Sequence, residues 1–205
     1  MRHDGNIAFK LNWVQGKNGP FRGPCTSEGR ILNIQRLKKV WCSQDECDCK
    51  QLYLAELEQG KSLPPAANQC VCYEVGAFQL KRYWGGVLHT GPRQNEPMRM
   101  LHAREGKWAF LTTRTPQSRE QDRIVLACFQ IAAVKFDEEW GAHAVFAKKG
   151  TWVQVAKDGV PPSFWKHHNQ PAGPLWGTGL FRYLPDAQAE SLRQEVLVAA
   201  GKQSS

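Results

Sequence analysis

"KWAFLTTR" (107–114) and "RIVLACFQIAAVKF" (123–136), joined by the polar "TPQSREQD" (115–122), decide the fold. Both runs are apolar and rich in β-branched or aromatic residues, and the connection between them is polar, which is the pattern of successive strands. Working outward, "NIAFKLNWV" (6–14) alternates as a strand with Ile7, Phe9, Leu11 and Trp13 on one face. "HAVFAKK" (143–149) and "TWVQVA" (151–156) read as two more strands around the turn "KKG", and "LFRYL" (180–184) is short and apolar. "ILNIQRLKKVW" (31–41) reads as a short helix or a buried strand, with helix preferred, and helices are predicted over "LYLAELEQG" (52–60) with its glycine stop and from the prolines of "PPSFWKHHN" (161–169). The clearest helix is "PDAQAESLRQEVLVAAG" (185–201), with Asp186 as N-cap, Ala189, Leu192, Val196 and Ala199 on one face, and Gly201 as the stop. The fold class is therefore α+β. Four or five strands in the second half form a small curved β-sheet or barrel with flanking helices. Residues 25–75 form a cysteine-rich subdomain, within a single domain spanning 1–205.

The composition adds a partner class. The 205 residues carry 27 Lys+Arg against 19 Asp+Glu, a net charge of +8, which favours a polyanion and nucleic acid first. Residues 79–123 hold nine basic and four acidic side chains, a local balance of +5. Eight tryptophans exceed what a core of this size needs, so some are expected where a flat ring can stack on a ligand. "MRHDGNIAFKLNW" lacks the apolar core of a secretory signal, and no run approaches a membrane span, so the expected location is cytoplasmic.

In a reducing compartment, clustered thiols point to metal rather than to disulfides. Cys42, Cys47 and Cys49 form one cluster and Cys70 and Cys72 a second, giving five candidates for the four places of a tetrahedral structural zinc. The expected Zn2+ ligands are Cys42, Cys47, Cys49 and Cys72, with Cys70 or Cys25 as alternates. A metal gives the polar "SQDE" and "PPAANQ" loops a reason to be ordered. Ferredoxin-type spacings are missing, and Cys128, inside an apolar strand, reads as core.

Three stretches carry the candidate nucleic-acid contacts. The basic, glycine-rich loop contributes Lys81, Arg82, Trp84, His89 and Arg93, with His102 at its far side. "LTTR" ends a strand on hydroxyls and a guanidinium fork, from Thr112 and Thr113 to Arg114. In "WGTGLFRYL" (176–184), Trp176 and Arg182 are expected at the surface and Phe181 and Leu184 in the core. No Walker loop, serine-hydrolase elbow, zinc-protease or deaminase signature is present, and no paired carboxylates suggest acid–base catalysis. "KHHN" (166–169) shares His and Asn with HNH nucleases but lacks the surrounding ββα-metal pattern, so no catalytic residue is assigned.

Taken in order, "WCSQDECDCKQLY", "CYE", "LTTRTPQSREQDRIVLACFQI", "FWKHHN" and "WGTGLFRYL" resemble the N-terminal recognition domain of bacterial modification-dependent HNH restriction endonucleases, over roughly residues 40–184. The layout is more distantly similar to EVE and other PUA-like domains. That resemblance implies double-stranded, modified DNA as partner, with a modified base (or modified backbone) read by flipping into an aromatic pocket. Thr113 and Arg114 would lie near that pocket and Trp13, Trp84 or Trp176 would form its wall. The HNH cleavage module is not among these residues, so nuclease activity would need a further segment. The alternatives are an RNA-binding PUA-like protein and a small zinc metalloenzyme acting on nucleic acid.

Overall fold

The computed structural model describes residues 4–39, 41–45, 47–63, 73–88, 91–168, 173–177 and 179–202. It is α+β and divides into two compact units, Asn12–Leu80 and a larger one made of 1–11 with 81–205. The larger unit is built on a seven-stranded, curved and unclosed sheet. Its strands are β1 (Asn6–Lys10), β2 (Arg82–Trp84), β3 (Trp108–Thr113), β4 (Ile124–Asp137), β5 (Ala142–Ala147), β6 (Val153–Gln154) and β7 (Phe181–Leu184), in the order β2-β5-β4-β3-β1-β7 with β6 also on β4.

The two strands read first from the sequence are its centre. β3 and β4 pair antiparallel from Trp108↔Gln130 to Thr113↔Ile124, while β1 joins β3 in parallel and β7 antiparallel. β4 is long, and register shifts at Leu111/Thr112 and Ile131/Ala133 mark where bulges bend the sheet. β5 and β6 do not form a hairpin with each other. Both run antiparallel to β4, from Asp137↔Ala142 through Cys128↔Val153, so "KKG" is an excursion between two stretches of one line of pairing. The expected strand over 6–14 stops at Lys10, and Trp13 falls in the other unit.

Closure into a barrel is not reached: no ladder among the described residues joins β2 to β7. The chain beside these two edges nevertheless approaches closely. Gly86 has φ +73, and a Cβ there would lie 2.6 Å from Leu180 Cδ1, so any other residue would strain the backbone and displace that leucine side chain. On one side of the sheet, α4 (Phe164–His167) and α5 (Asp186–Ala199) build a core in which Phe110, Val125, Cys128, Phe164, Leu184, Leu192 and Val196 are buried. The N-cap of α5 is Pro185 rather than Asp186. The Asp186 carboxylate instead accepts from Lys107 Nζ (2.8 Å) and Asn6 Nδ2 (2.8 Å), tying the helix start to β1 and to the approach to β3.

The smaller unit holds α1 (Ser27–Arg30), continued by a π-helical stretch Ile31–Arg36, then a 3₁₀ turn Trp41–Ser43, α2 (Asp48–Gln59) and α3 (Tyr73–Leu80). Thr26 caps α1 by accepting from Gly29 N–H. Gly60, the stop expected from the sequence, ends α2 in the left-handed region. No helix among the described residues is long and apolar enough to cross a membrane.

Candidate functional site

On the larger unit, register assembles a line of stacked cations and rings. Arg82 and Trp84 on β2 face Phe146 and Ala144 on β5, which in turn face Ala133 and Lys135 on β4. Residues two apart share a face of a sheet, so these side chains and Asp137 stand together. The alanines leave room for the larger groups. Lys135 Nζ lies 5.0 Å from the centroid of Phe146, Arg82 lies 6.0 Å from that ring and 5.1 Å from Trp84, and Trp84 packs on Trp140 at 4.4 Å. Asp137 holds the line in place: it accepts from Trp84 Nε1 at 2.9 Å and pairs with Arg82 at 3.0 Å, while Glu139 takes the other arm of the guanidinium at 2.6 Å. Trp84 is therefore buried, at 1% exposure, and the ring that meets solvent is Trp140, at 38%. Lys135 is exposed at the other end.

The basic loop after β2 keeps fewer available charges than its composition suggests. Arg93 is exposed and pairs with Glu96, Lys107 with Asp186, and both Arg114 and Arg123 with Glu120. Lys81, Arg99 and Arg104 are exposed and take part in no ion pair among the described residues. Met98 N–H donates to Gly86 O at 2.9 Å, which holds the returning, Arg99-bearing side of the loop beside β2. His89 lies outside the described residues.

The "LTTR" and "WGTGLFRYL" motifs do meet, but in an interior knot. The hydroxyls of Thr112 and Thr113 donate to the carbonyls of Phe9 and Leu11, and both residues are fully buried. Arg114, the most exposed member, donates to Ser118 O at 3.2 Å. Arg123 is 1% exposed, grips Glu120 with two hydrogen bonds (2.5 and 3.0 Å) and stacks 4.5 Å from the centroid of Trp176. Trp176 is 3% exposed and donates through Nε1 to Gly179 O at 2.8 Å. Arg182 donates to Leu175 O at 2.5 Å and to Trp176 O, and burial pulls its pKa down. Trp176 is thus buried rather than at the surface as expected, while Arg182 is half-buried with its guanidinium occupied by two backbone carbonyls. Trp13, in the smaller unit, is half-buried with Nε1 donating to Gln15 Oε1 at 3.2 Å, its ring edge-on to Phe21.

Three of that smaller unit's cysteines, Cys25, Cys42 and Cys49, surround one small, largely enclosed cavity. Cys25, Cys42, Cys49, Glu74, Asn33 and Arg30 line it. Burial, then the Glu74 carboxyl and the neighbouring Cys47 and Cys25, push the Cys42 thiol far up, and burial likewise raises Glu74. Cys47 is half-exposed beside the start of α2 and does not line the cavity. Cys49 is disulfide-bonded, whereas Cys25, Cys42, Cys47 and Cys128 are thiols; Cys70 and Cys72 lie outside the described residues. As the side chains stand, no group of three or more His, Cys, Asp or Glu among the described residues is arranged to hold a metal ion. Burial pushes the core thiol of Cys128 up to about 12, as an inert structural cysteine requires.

No family model, curated protein or solved structure matches this chain. Of the residues singled out in the sequence, Arg82 and Trp84 come together in an aromatic–cation line. Lys135, Asp137, Trp140 and Phe146 complete it and escaped notice. Only the β4/β5 register could reveal them, since Lys135 and Phe146 are eleven positions apart in an otherwise ordinary hairpin.

Proposed function

We propose that the chain is a DNA-binding specificity module of EVE/PUA-like kind that reads a modified base or backbone in duplex DNA for a restriction endonuclease, the cleavage module being a separate segment. One observation carries this reading: the line Lys135–Phe146–Arg82–Trp84–Trp140, open to solvent at both ends. An exposed cation and an exposed ring at the two ends of the line suit a nucleic acid, because Lys135 can meet phosphate while Trp140 accepts any base face, with Arg82 and Trp84 as the buried support between them. Lys81 and Arg99 lie next to β2 in the sequence and in the loop, and supply further positive charge. Extruding a base costs a few kcal/mol, least where pairing is already weakened. Stacking on Trp140 returns about 1–3 kcal/mol, and contacts to the modified group supply the selectivity.

Trp140→Ala is expected to weaken duplex binding by about 5- to 150-fold, the equivalent of that stacking term, while lowering stability to urea by only about 0.5–1.5 kcal/mol, the scale of its ring pair with Trp84. Fluorescence anisotropy with a labelled duplex measures the first and circular dichroism the second. Unaltered affinity in a folded Trp140→Ala protein would remove this surface from the reading. Tighter binding to a matched RNA hairpin than to any duplex DNA would favour an RNA-binding role instead.

A further inference from the structure

Where β4 bends, the ends of its neighbours gather cations that hold no carboxylate. Lys81, Arg104, Lys148 and Lys149 are exposed and join no ion pair among the described residues. Elsewhere on the larger unit Arg82, Arg93, Lys107, Arg114, Arg123 and Lys166 are each paired with an acid. Backbone hydrogen bonds bring the unpaired group together. Ala147 N–H donates to Lys81 O at 2.9 Å, Lys148 N–H to Gln130 O at 2.8 Å, Ile131 N–H to Lys107 O at 2.8 Å and Lys107 N–H to Arg104 O at 3.2 Å. The start of β2, the end of β5, the bulged part of β4 and the approach to β3 therefore lie side by side. Neighbouring strands are about 4.8 Å apart, so these positions are spread over roughly 14 Å. Glu105, next to Arg104, is the one acid adjacent to any of them in the chain, and it leaves the cations in excess.

The ridge is held in shape. Thr151 Oγ1 donates to Lys148 O at 2.7 Å and accepts from Gln130 N–H at 3.1 Å, which pins the turn carrying both lysines to β4. Lys81 follows α3 with φ 53, in the left-handed region where helix ends ordinarily take glycine because a Cβ is strained there. Strain of this kind points to a position whose side chain is needed.

We propose that this ridge is a phosphate-binding track: it holds the sugar–phosphate backbone of one DNA strand beside the nucleotide read at Trp140. The inference rests on the DNA-reading function proposed above and deepens it. A DNA strand carries one phosphate per 3.4 Å of axis, so roughly 14 Å of ridge faces about four phosphates. The ridge continues the aromatic–cation line, because Lys81 immediately precedes Arg82 of β2, and Ile131 lies four residues, about 13 Å, from Lys135 along β4. Phosphate contacts set position on the duplex without carrying sequence. The ridge thus supplies affinity and Trp140 supplies discrimination.

Two double variants of equal charge test it, by anisotropy titration of the full chain with duplex DNA across a salt series. Lys148→Gln with Lys149→Gln is expected to reduce the steepness of log affinity against log salt by about 1.8, the value for two lost phosphate contacts. Lys157→Gln with Lys202→Gln, at two exposed lysines away from the ridge, should leave it unchanged. Arg104→Gln and Lys81→Gly should each reduce it by about 0.9. Lys81→Gly should also unfold at the same temperature as wild type or higher, since glycine suits that backbone. Each ridge variant should weaken modified and unmodified duplexes by the same factor. An unchanged slope in the Lys148→Gln, Lys149→Gln protein, or an equal reduction in the control pair, overturns the proposal, as does a loss confined to the modified duplex. Equal wild-type affinity for modified and unmodified duplexes would overturn base reading instead, and the slopes would still decide for or against the ridge.

Discussion

Arg30→Met is expected to destabilise the Asn12–Leu80 unit by about 3–5 kcal/mol, the scale for removing one partner of a buried ion pair. Arg30 is 1% exposed and Glu56 7%. The guanidinium reaches Glu56 at 2.5 and 3.0 Å and also donates to the Cys25 and Leu63 carbonyls, at 2.6 and 3.1 Å. Leu63 N–H closes the loop by donating to Glu56 Oε1 at 2.9 Å. Deleting the cation leaves a carboxylate in a dry place and frees two carbonyls, whereas the double change Arg30→Met with Glu56→Leu should recover most of the loss. The pair also sets an acid limit. Burial alone would raise the Glu56 pKa, but the hydrogen bonds from Arg30, Leu63 N–H and Ser27 outweigh it, so the carboxyl titrates below its ordinary value. A depressed folded-state pKa contributes stability that is complete above the unfolded value of about 4.3 and disappears as pH falls through the folded one. Urea unfolding at neutral pH and at successively lower pH values checks both statements. An Arg30→Met protein within 1 kcal/mol of wild type would show that the pair holds nothing together.

Asp137→Ala should have the second largest effect, because it disturbs stability and binding at once. Asp137 is 7% exposed and anchors both Trp84 Nε1 and Arg82. Its loss strands the indole N–H and leaves Arg82 with Glu139 alone, an exposed partner worth little. The expected loss of stability is about 3 kcal/mol, in line with hydrogen bonds to a charged group. Duplex affinity should fall with it, since Trp140 packs on a Trp84 that is no longer held. Asp137→Asn keeps an acceptor for the indole and should cost only about 1 kcal/mol. Thermal unfolding and anisotropy titrations on the same samples separate the two losses. If Asp137→Ala were as stable and as tightly bound as wild type, neither the line nor its anchor would matter.

Much of the fold is legible in the sequence, and the reasons are local. β3, β4 and α5 announce themselves through apolar periodicity, because each buries a face against one continuous core. The "KKG" turn misleads, since turn chemistry reports a change of direction and not which strand is the neighbour. The site residues are harder for a related reason. Trp176, Arg182 and Thr113 look available because their types are polar or amphipathic, yet Glu120 and a handful of backbone carbonyls satisfy the cations and hydroxyls around them. Pairing of that sort is tertiary and leaves no trace in composition. Trp140 shows the converse. It sits in an acidic-looking turn, "DEEWG", and only the register of β2, β5 and β4 places it over Trp84. With cysteines, spacing names the cluster but not which sulfurs share a cavity; Cys25 is distant in sequence and near in space.

The most direct test of the central claim is an anisotropy titration of the full chain against matched duplexes that are unmodified, carry a hypermodified cytosine, or carry a phosphorothioate linkage, each at several salt concentrations. The account predicts that affinity for every duplex falls steeply with salt, as phosphate contacts require, and that one modified duplex binds at least about tenfold tighter than its unmodified twin at every salt concentration, a difference of about 1.4 kcal/mol. Equal affinity for all three duplexes across the whole salt series would contradict it, leaving a cationic protein that holds DNA without reading it.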